Sequence, residues 1–121
     1  MSREPAKTNP VLLHTIAALR TAGRTNTAPV WRALADRLEG SRRRWSEVNL
    51  SRLSRHSKKG EILAVPGVLL ATGTLAHPVT VAAFHASHAA RVKVEAAGGK
   101  VLDLLELAKE HPQGSGVRIL G

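Results

Sequence analysis

Residues 79–100 read VTVAAFHASHAARVKVEAAGGK. The first six residues, VTVAAF, are an unbroken apolar run containing β-branched side chains, the pattern of a strand covered on both faces. Ser87 follows as a helix N-cap, and the helix it opens runs through Ala97 to a stop at Gly98-Gly99. A buried strand feeding directly into a helix is the unit of an α/β protein. Downstream, Lys100 to Leu102 is a brief strand, residues 103–110 form another helix, and VRIL at 117–120 is a last strand. Upstream, EILAVPGVLLATGTL (61–75) is apolar and broken by Pro66-Gly67 and Gly73, which predicts short strands joined by turns.

Further toward the amino terminus the periodicity becomes helical. Asn9-Pro10 pairs an N-cap with a proline at the first helical position, the stripe Leu12, Ile16, Leu19 follows, and Gly23 is the expected stop. A second helix starts at Thr27-Ala28-Pro29. It buries Val30, Trp31, Leu34, Ala35 and Leu38, turns Arg32 and Asp36 outward, and closes at Gly40. A third is expected from Ser46 as N-cap, with Trp45 and Leu50 flanking it as a hydrophobic staple, unless Trp45 instead stacks on a base. Its Leu50 and Leu53 face one way, while Arg52, Arg55 and Lys59 fall within about 60° of arc on the other. Val48 falls near that basic arc, out of pattern. This helix should end by Gly60.

The expectation is one domain over 1–121, built as an α/β body (61–121) preceded by basic amino-terminal helices (1–60). The formal net charge is +9, and all of it lies in the first half. Residues 1–60 hold thirteen Lys and Arg against four Asp and Glu, whereas 61–121 hold five of each. A basic front end on a neutral body points to a polyanion as partner. The run Arg42, Arg43, Arg44 repels itself unless an anion arrives, and the guanidinium fork suits phosphate oxygens.

Other classes of function find little support. The chain has no cysteine, which excludes disulfides and thiolate chemistry. No apolar run approaches the ~18 residues of a membrane span, and MSREPAKTNP lacks the apolar stretch of a signal peptide. A soluble intracellular protein is expected. With two Trp, one Phe and no Tyr, the chain cannot offer successive bases an aromatic platform. His77, His85 and His88 have no cysteine or carboxylate to complete a metal site. Ser57 beside His56 could suggest a small hydrolase, but no acid is placed to orient the base. No glycine-rich phosphate loop is present. Neither enzyme, cofactor nor small-molecule substrate is expected.

The sequence resembles the archaeal and eukaryotic large-subunit ribosomal proteins of the L-eighteen-e type, kin to the carboxy-terminal domain of bacterial ribosomal protein L-fifteen. The likeness runs from about Lys7 to Leu120 and rests on several segments in register. These are KTNP (7–10), Arg42-Arg43 followed by EVNLSRL (47–53), Pro66-Gly67 before GTL (73–75), VTVAAF, Ser87 with Ala90, KVEAAGG (93–99), and HPQGSGVRIL. The resemblance implies a body of irregular strand-strand-helix turns and a structural role in translation. It implies a cytoplasmic location in the large ribosomal subunit, with ribosomal RNA and neighbouring ribosomal proteins as partners. The basic half is expected to grip RNA through three groups: the arm Arg3, Lys7, Thr8 and Asn9; the loop Arg42, Arg43 and Arg44; and the helix face Arg52, Arg55, Lys58 and Lys59. Arg20 and Arg24 are weaker candidates. Asn49 could touch a base edge or 2′-hydroxyl, or could instead help cap its own helix. A non-ribosomal nucleic-acid binder is the alternative; the shortage of base-reading Asn and Gln on the basic helix speaks against it.

Overall fold

A computed structural model describes residues 9–40 and 45–121. The expected Arg3, Lys7, Thr8, Arg42, Arg43 and Arg44 lie outside the described residues.

Helix α1 (Pro10–Asn26) opens as its sequence predicts: the Asn9 side chain accepts from Val11 N at 2.9 Å and Leu12 N at 3.3 Å. It does not stop at Gly23. The left-handed residue that ends it is Thr27, at φ 49°. Gly23 serves close approach instead, because a Cβ there would stand 3.3 Å from both Ala28 O and Arg32 N. Helix α2 (Pro29–Glu39) then folds back, burying Trp31, Leu34, Ala35 and Leu38.

The expected third helix is the main correction. Ser46 is no N-cap; Ser46–Asn49 is strand β1, and helix α3 spans only Leu50–Arg55. The residues alternate in burial, with Ser46 and Val48 inward and Glu47 outward, which is period two rather than 3.6. Val48, out of place on a helix, is fully buried on the strand. Trp45 accordingly does not staple Leu50. Its Nε1 donates to Leu38 O at 3.0 Å, and its ring meets Phe84 edge-on with centroids 5.4 Å apart. Trp45 and Leu50 pack into cores on opposite faces of the sheet.

Pro66-Gly67 also behaves differently from its reading as a turn. Strand β2 (Ile62–Leu70) runs straight through it, flanked by β3 (Thr80–Ala86). The β2–β3 register changes between Val65 and Val68, so Pro66 and Gly67 together oppose one residue of β3. At such a bulge the missing proline N–H breaks no regular ladder. Gly67 has a further reason: a Cβ would lie 2.1 Å from Ser46 O of the neighbouring strand.

The remaining elements follow the sequence reading closely. They are α4 (His88–Ala96, capped by Ser87), β4 (Lys100–Asp103), α5 (Leu104–Glu110, with an Asp103/Glu106 capping box) and β5 (Val117–Ile119). All pairings are parallel. β2 is central: β3 and then β4 continue the sheet from one edge, while β5 and β1 share the other. β5 pairs with Ile62–Ala64 and β1 with Gly67–Leu70, end to end. Leu12, Leu19, Trp31 and Leu34 pack with α5 over Ala64 and Ala82, whose small side chains let the helices approach. Leu50 and Leu53 of α3, with Ala90 and Val94 of α4, cover Leu63, Val65 and Val81 on the other face.

Candidate nucleic-acid interface

A six-residue helix is too short to persist in water, so α3 is where its neighbours put it. Its leucines anchor it to the sheet. Asn49 caps it: Oδ1 accepts from Arg52 N at 3.1 Å and from Ser51 Oγ at 2.7 Å, a contact worth about 1 kcal/mol. Asn49 is therefore the N-cap itself, not a residue inside the first turn. The loop 71–79 closes over the helix, with Ser51 N donating to Thr72 O at 3.1 Å and Ala76 N donating to Ser54 Oγ at 3.1 Å. Gly73, at φ +92°, lies so near Ser51 that a Cβ would sit 2.6 Å from the serine Cβ. Lys93 of α4 fixes that loop by donating to Ala71 O and Gly73 O.

What remains for solvent is basic. Arg55, Lys58 and Lys59 are exposed and Arg52 is half-buried. Lys58 and Lys59 stand beyond the helix end, in the turn that leads to β2, so they extend the basic face instead of lying on it. Among the described residues, Arg52, Arg55 and Lys59 make no ion pair.

That turn is pinned by Glu61. Its carboxylate accepts from Lys58 N at 3.0 Å and from the Arg118 fork, Nε to Oε2 at 2.7 Å and Nη2 to Oε1 at 3.1 Å. Arg118 Nη2 also donates to His56 O. The Arg118 guanidinium holds the Glu61 carboxyl down at about 2, with the Lys58 N–H and the Lys58 charge helping against partial desolvation. Arg118 shifts upward in return. Arg55, Lys58, Glu61 and Arg118 thus surround one open hollow of about 470 Å³. Sequence reasoning missed Arg118. The available signal was the VRI alternation, which turns Arg118 outward between half-buried Val117 and Ile119, but nothing local told which cations it would meet.

The other candidates are placed apart. Arg20 Nη2 bonds Asp36 at 2.8 Å and Glu39 at 2.7 Å, tying α1 to α2, and these carboxylates raise its pKa. Arg24 reaches Thr21 Oγ1 at 3.4 Å and shares a hollow with Arg20, Arg32 and Asp36. Both belong to the helices on the sheet face opposite α3. Asn9 borders a different hollow, with Trp45, Phe84 and His85.

The chemistry of catalysis is missing from the pair that resembles it. Ser57 contacts His77 at 2.9 Å, not His56, and its Oγ donates to Leu53 O at 2.6 Å. A hydroxyl has one proton. With that proton on the carbonyl, Ser57 accepts from the Nε2–H tautomer of His77, an arrangement in which the imidazole does not serve as its base. Among the described residues, no three His, Asp or Glu gather to hold a metal, and no helix is long and apolar enough to cross a membrane.

Comparison with known proteins converges on one family. The family described as ribosomal protein 60S L18 and 50S L18e matches residues 2–121. Large ribosomal subunit protein eL18 of Methanoregula boonei is 43% identical over 120 residues, 99% of each chain. Its namesake in Archaeoglobus fulgidus is 42% identical over 114 residues, 94% of this chain and 97% of that one. The Pyrobaculum aerophilum protein of the same name is 46% identical over 102 residues, 84% of each chain.

Proposed function

The chain belongs to the family of ribosomal proteins 60S L18 and 50S L18e, and from that premise we propose that it binds ribosomal RNA through its basic amino-terminal half. It is a structural constituent of the large ribosomal subunit in the cytoplasm, of archaeal type, and not an enzyme. The observation that carries the RNA-binding reading is the charge left uncompensated at the end of α3. There Arg52, Arg55 and Lys59 have no acidic partner among the described residues, on a face that loop 71–79 and two buried leucines hold rigid. Phosphate oxygens complete such a face, and the neighbouring RNA backbone and ribosomal proteins are its partners in the particle.

The arm Arg3, Lys7, Thr8 and Asn9 and the loop Arg42, Arg43 and Arg44 add to this grip in the same reading. Arg20 and Arg24 contribute least, since Arg20 is already shared by two carboxylates and Arg24 lies on α1, on the sheet face away from α3. Asn49 acts by capping α3 and so fixing where Arg52 points from.

The test is the salt dependence of binding to transcribed large-subunit ribosomal RNA. With roughly six phosphates neutralised, log affinity falls with log salt at a slope of about −4 to −5. Exchanging Arg55, Lys58 and Lys59 together for glutamine flattens that slope by roughly one to two units, and exchanging Arg42, Arg43 and Arg44 for alanine does so by about two. Both variants keep the wild-type melting temperature. A slope that neither variant moves would remove the basic half from the interface.

A further inference from the structure

We propose that the hollow between α3 and β5 is a seat for one backbone phosphate, formed by Arg55, Lys58 and Arg118 and held in shape by Glu61. The proposal rests on the RNA-binding reading above and deepens it by naming a site, a ligand group and two residues, Arg118 and Glu61, that the basic half does not contain.

Three cations meet there from two parts of the chain: Arg55 from the last turn of α3 and Lys58 from the turn just after it, and Arg118 from β5. Their convergence is a product of the fold, because β5 pairs with the first residues of β2, immediately after that turn. The hollow carries three positive charges against one carboxylate. It therefore keeps a surplus that a phosphodiester with a single negative charge can meet.

The hydrogen-bond inventory also fits. A guanidinium has five N–H donors. Glu61 and the His56 carbonyl engage Nε and Nη2 of Arg118, which leaves the two donors of Nη1 without a partner among the described residues. Glu61 is a positioning residue. Its carboxylate binds Lys58 N and the Arg118 fork at once, and its own N–H donates to Lys58 O at 3.0 Å, closing the turn. Because the Arg118 contact keeps its carboxyl ionised down to about pH 2, the clamp is set at any pH at which the particle works. Preorganised cations lose less side-chain freedom on meeting their ligand than free ones do.

The experiment measures affinity of the full chain for transcribed large-subunit ribosomal RNA across a salt series, with circular dichroism melting as the folding control. Arg118→Ala is expected to weaken binding and flatten the log–log slope by about 0.7 to 0.9, one phosphate contact. Arg118→Lys keeps the charge without the fork, and should keep the slope while weakening binding less. Glu61→Gln is the sharper variant, because two explanations give opposite signs. Removing a negative charge next to RNA tightens binding if Glu61 merely sits there. It weakens binding if Glu61 aims Lys58 and Arg118. An unchanged slope in a folded Arg118→Ala protein, or tighter binding by Glu61→Gln, overturns the phosphate seat and leaves the wider RNA-binding reading standing. Absence of salt-dependent binding by the unmodified chain overturns both.

Discussion

The α1–α2 hairpin and the short helix α3 lie on opposite faces of one sheet and are both rich in arginine, yet they use it differently. In the hairpin, Arg20 meets Asp36 and Glu39, two acids three residues apart on the facing side of α2, and its charge is spent inside the molecule, while Arg24, Arg32 and Arg37 make no ion pair among the described residues. At α3 the helix supplies no acid. The single carboxylate nearby, Glu61, serves Arg118 and the backbone of Lys58, while Arg52, Arg55 and Lys59 face solvent without an ion pair among the described residues. What separates the two regions is whether an acid stands at the right helical spacing opposite the base.

The largest expected effect separates the two regions by stability. Trp31 is fully buried in the hairpin core, and its Nε1 donates to Pro112 O at 2.9 Å. Trp31→Ala should cost about 3–5 kcal/mol in chemical denaturation and leave the salt slope of the surviving folded protein unaltered. A changed slope would mean that the hairpin takes part in binding after all.

A smaller effect concerns the paired arginine. Arg20→Gln removes a surface ion pair and should cost no more than about 1 kcal/mol, again with no change in salt slope. If the slope drops by a full unit, Arg20 leaves its carboxylates for RNA, and the contrast between the regions is lost.

The smallest effect is confined to acid. The folded-state pKa of Glu61 lies below the ordinary 4.5, at about 2, so its contribution to stability is complete above about 4.5 and is lost as pH falls toward 2. Denaturation midpoints of the wild type should therefore fall across that window, and Glu61→Gln should lose part of this dependence. A variant with the same acid profile as the wild type would detach Glu61 from the turn that presents Lys58.

Much of the fold was legible because its signals are local. VTVAAF reads as a buried strand from six residues, Ser87 announces a helix by its own side chain, and the glycine pair at 98–99 ends it. The errors arose where a partner strand decides. Ser46–Asn49 carries four residues of alternation, too few to outweigh the capping pattern that Ser46 also satisfies, and only β2 alongside makes it a strand. Pro66-Gly67 looks like a turn until the flanking strands are in place to hold a bulge. The candidate site divides in the same way. Arg52, Arg55, Lys58 and Lys59 are visible as a cluster in sequence, whereas the acids that occupy Arg20 and the arginine that joins Lys58 come from other segments. Asn49 had a visible cap role, but its place at the helix boundary depended on the missed strand.

The shared edge of β2 has a consequence for biogenesis. Backbone groups of Ile62–Ala64 on that side pair with residues 117–120, Leu120 N donating to Ala64 O at 2.9 Å, and Arg37 of α2 links Ser46 Oγ to Gly121 O at 3.2 and 2.9 Å. While a nascent chain has emerged only as far as Gly116, the middle of its sheet is still open along half of one border. The same strand carries Arg118, so closure of the sheet and completion of the proposed phosphate seat are a single event.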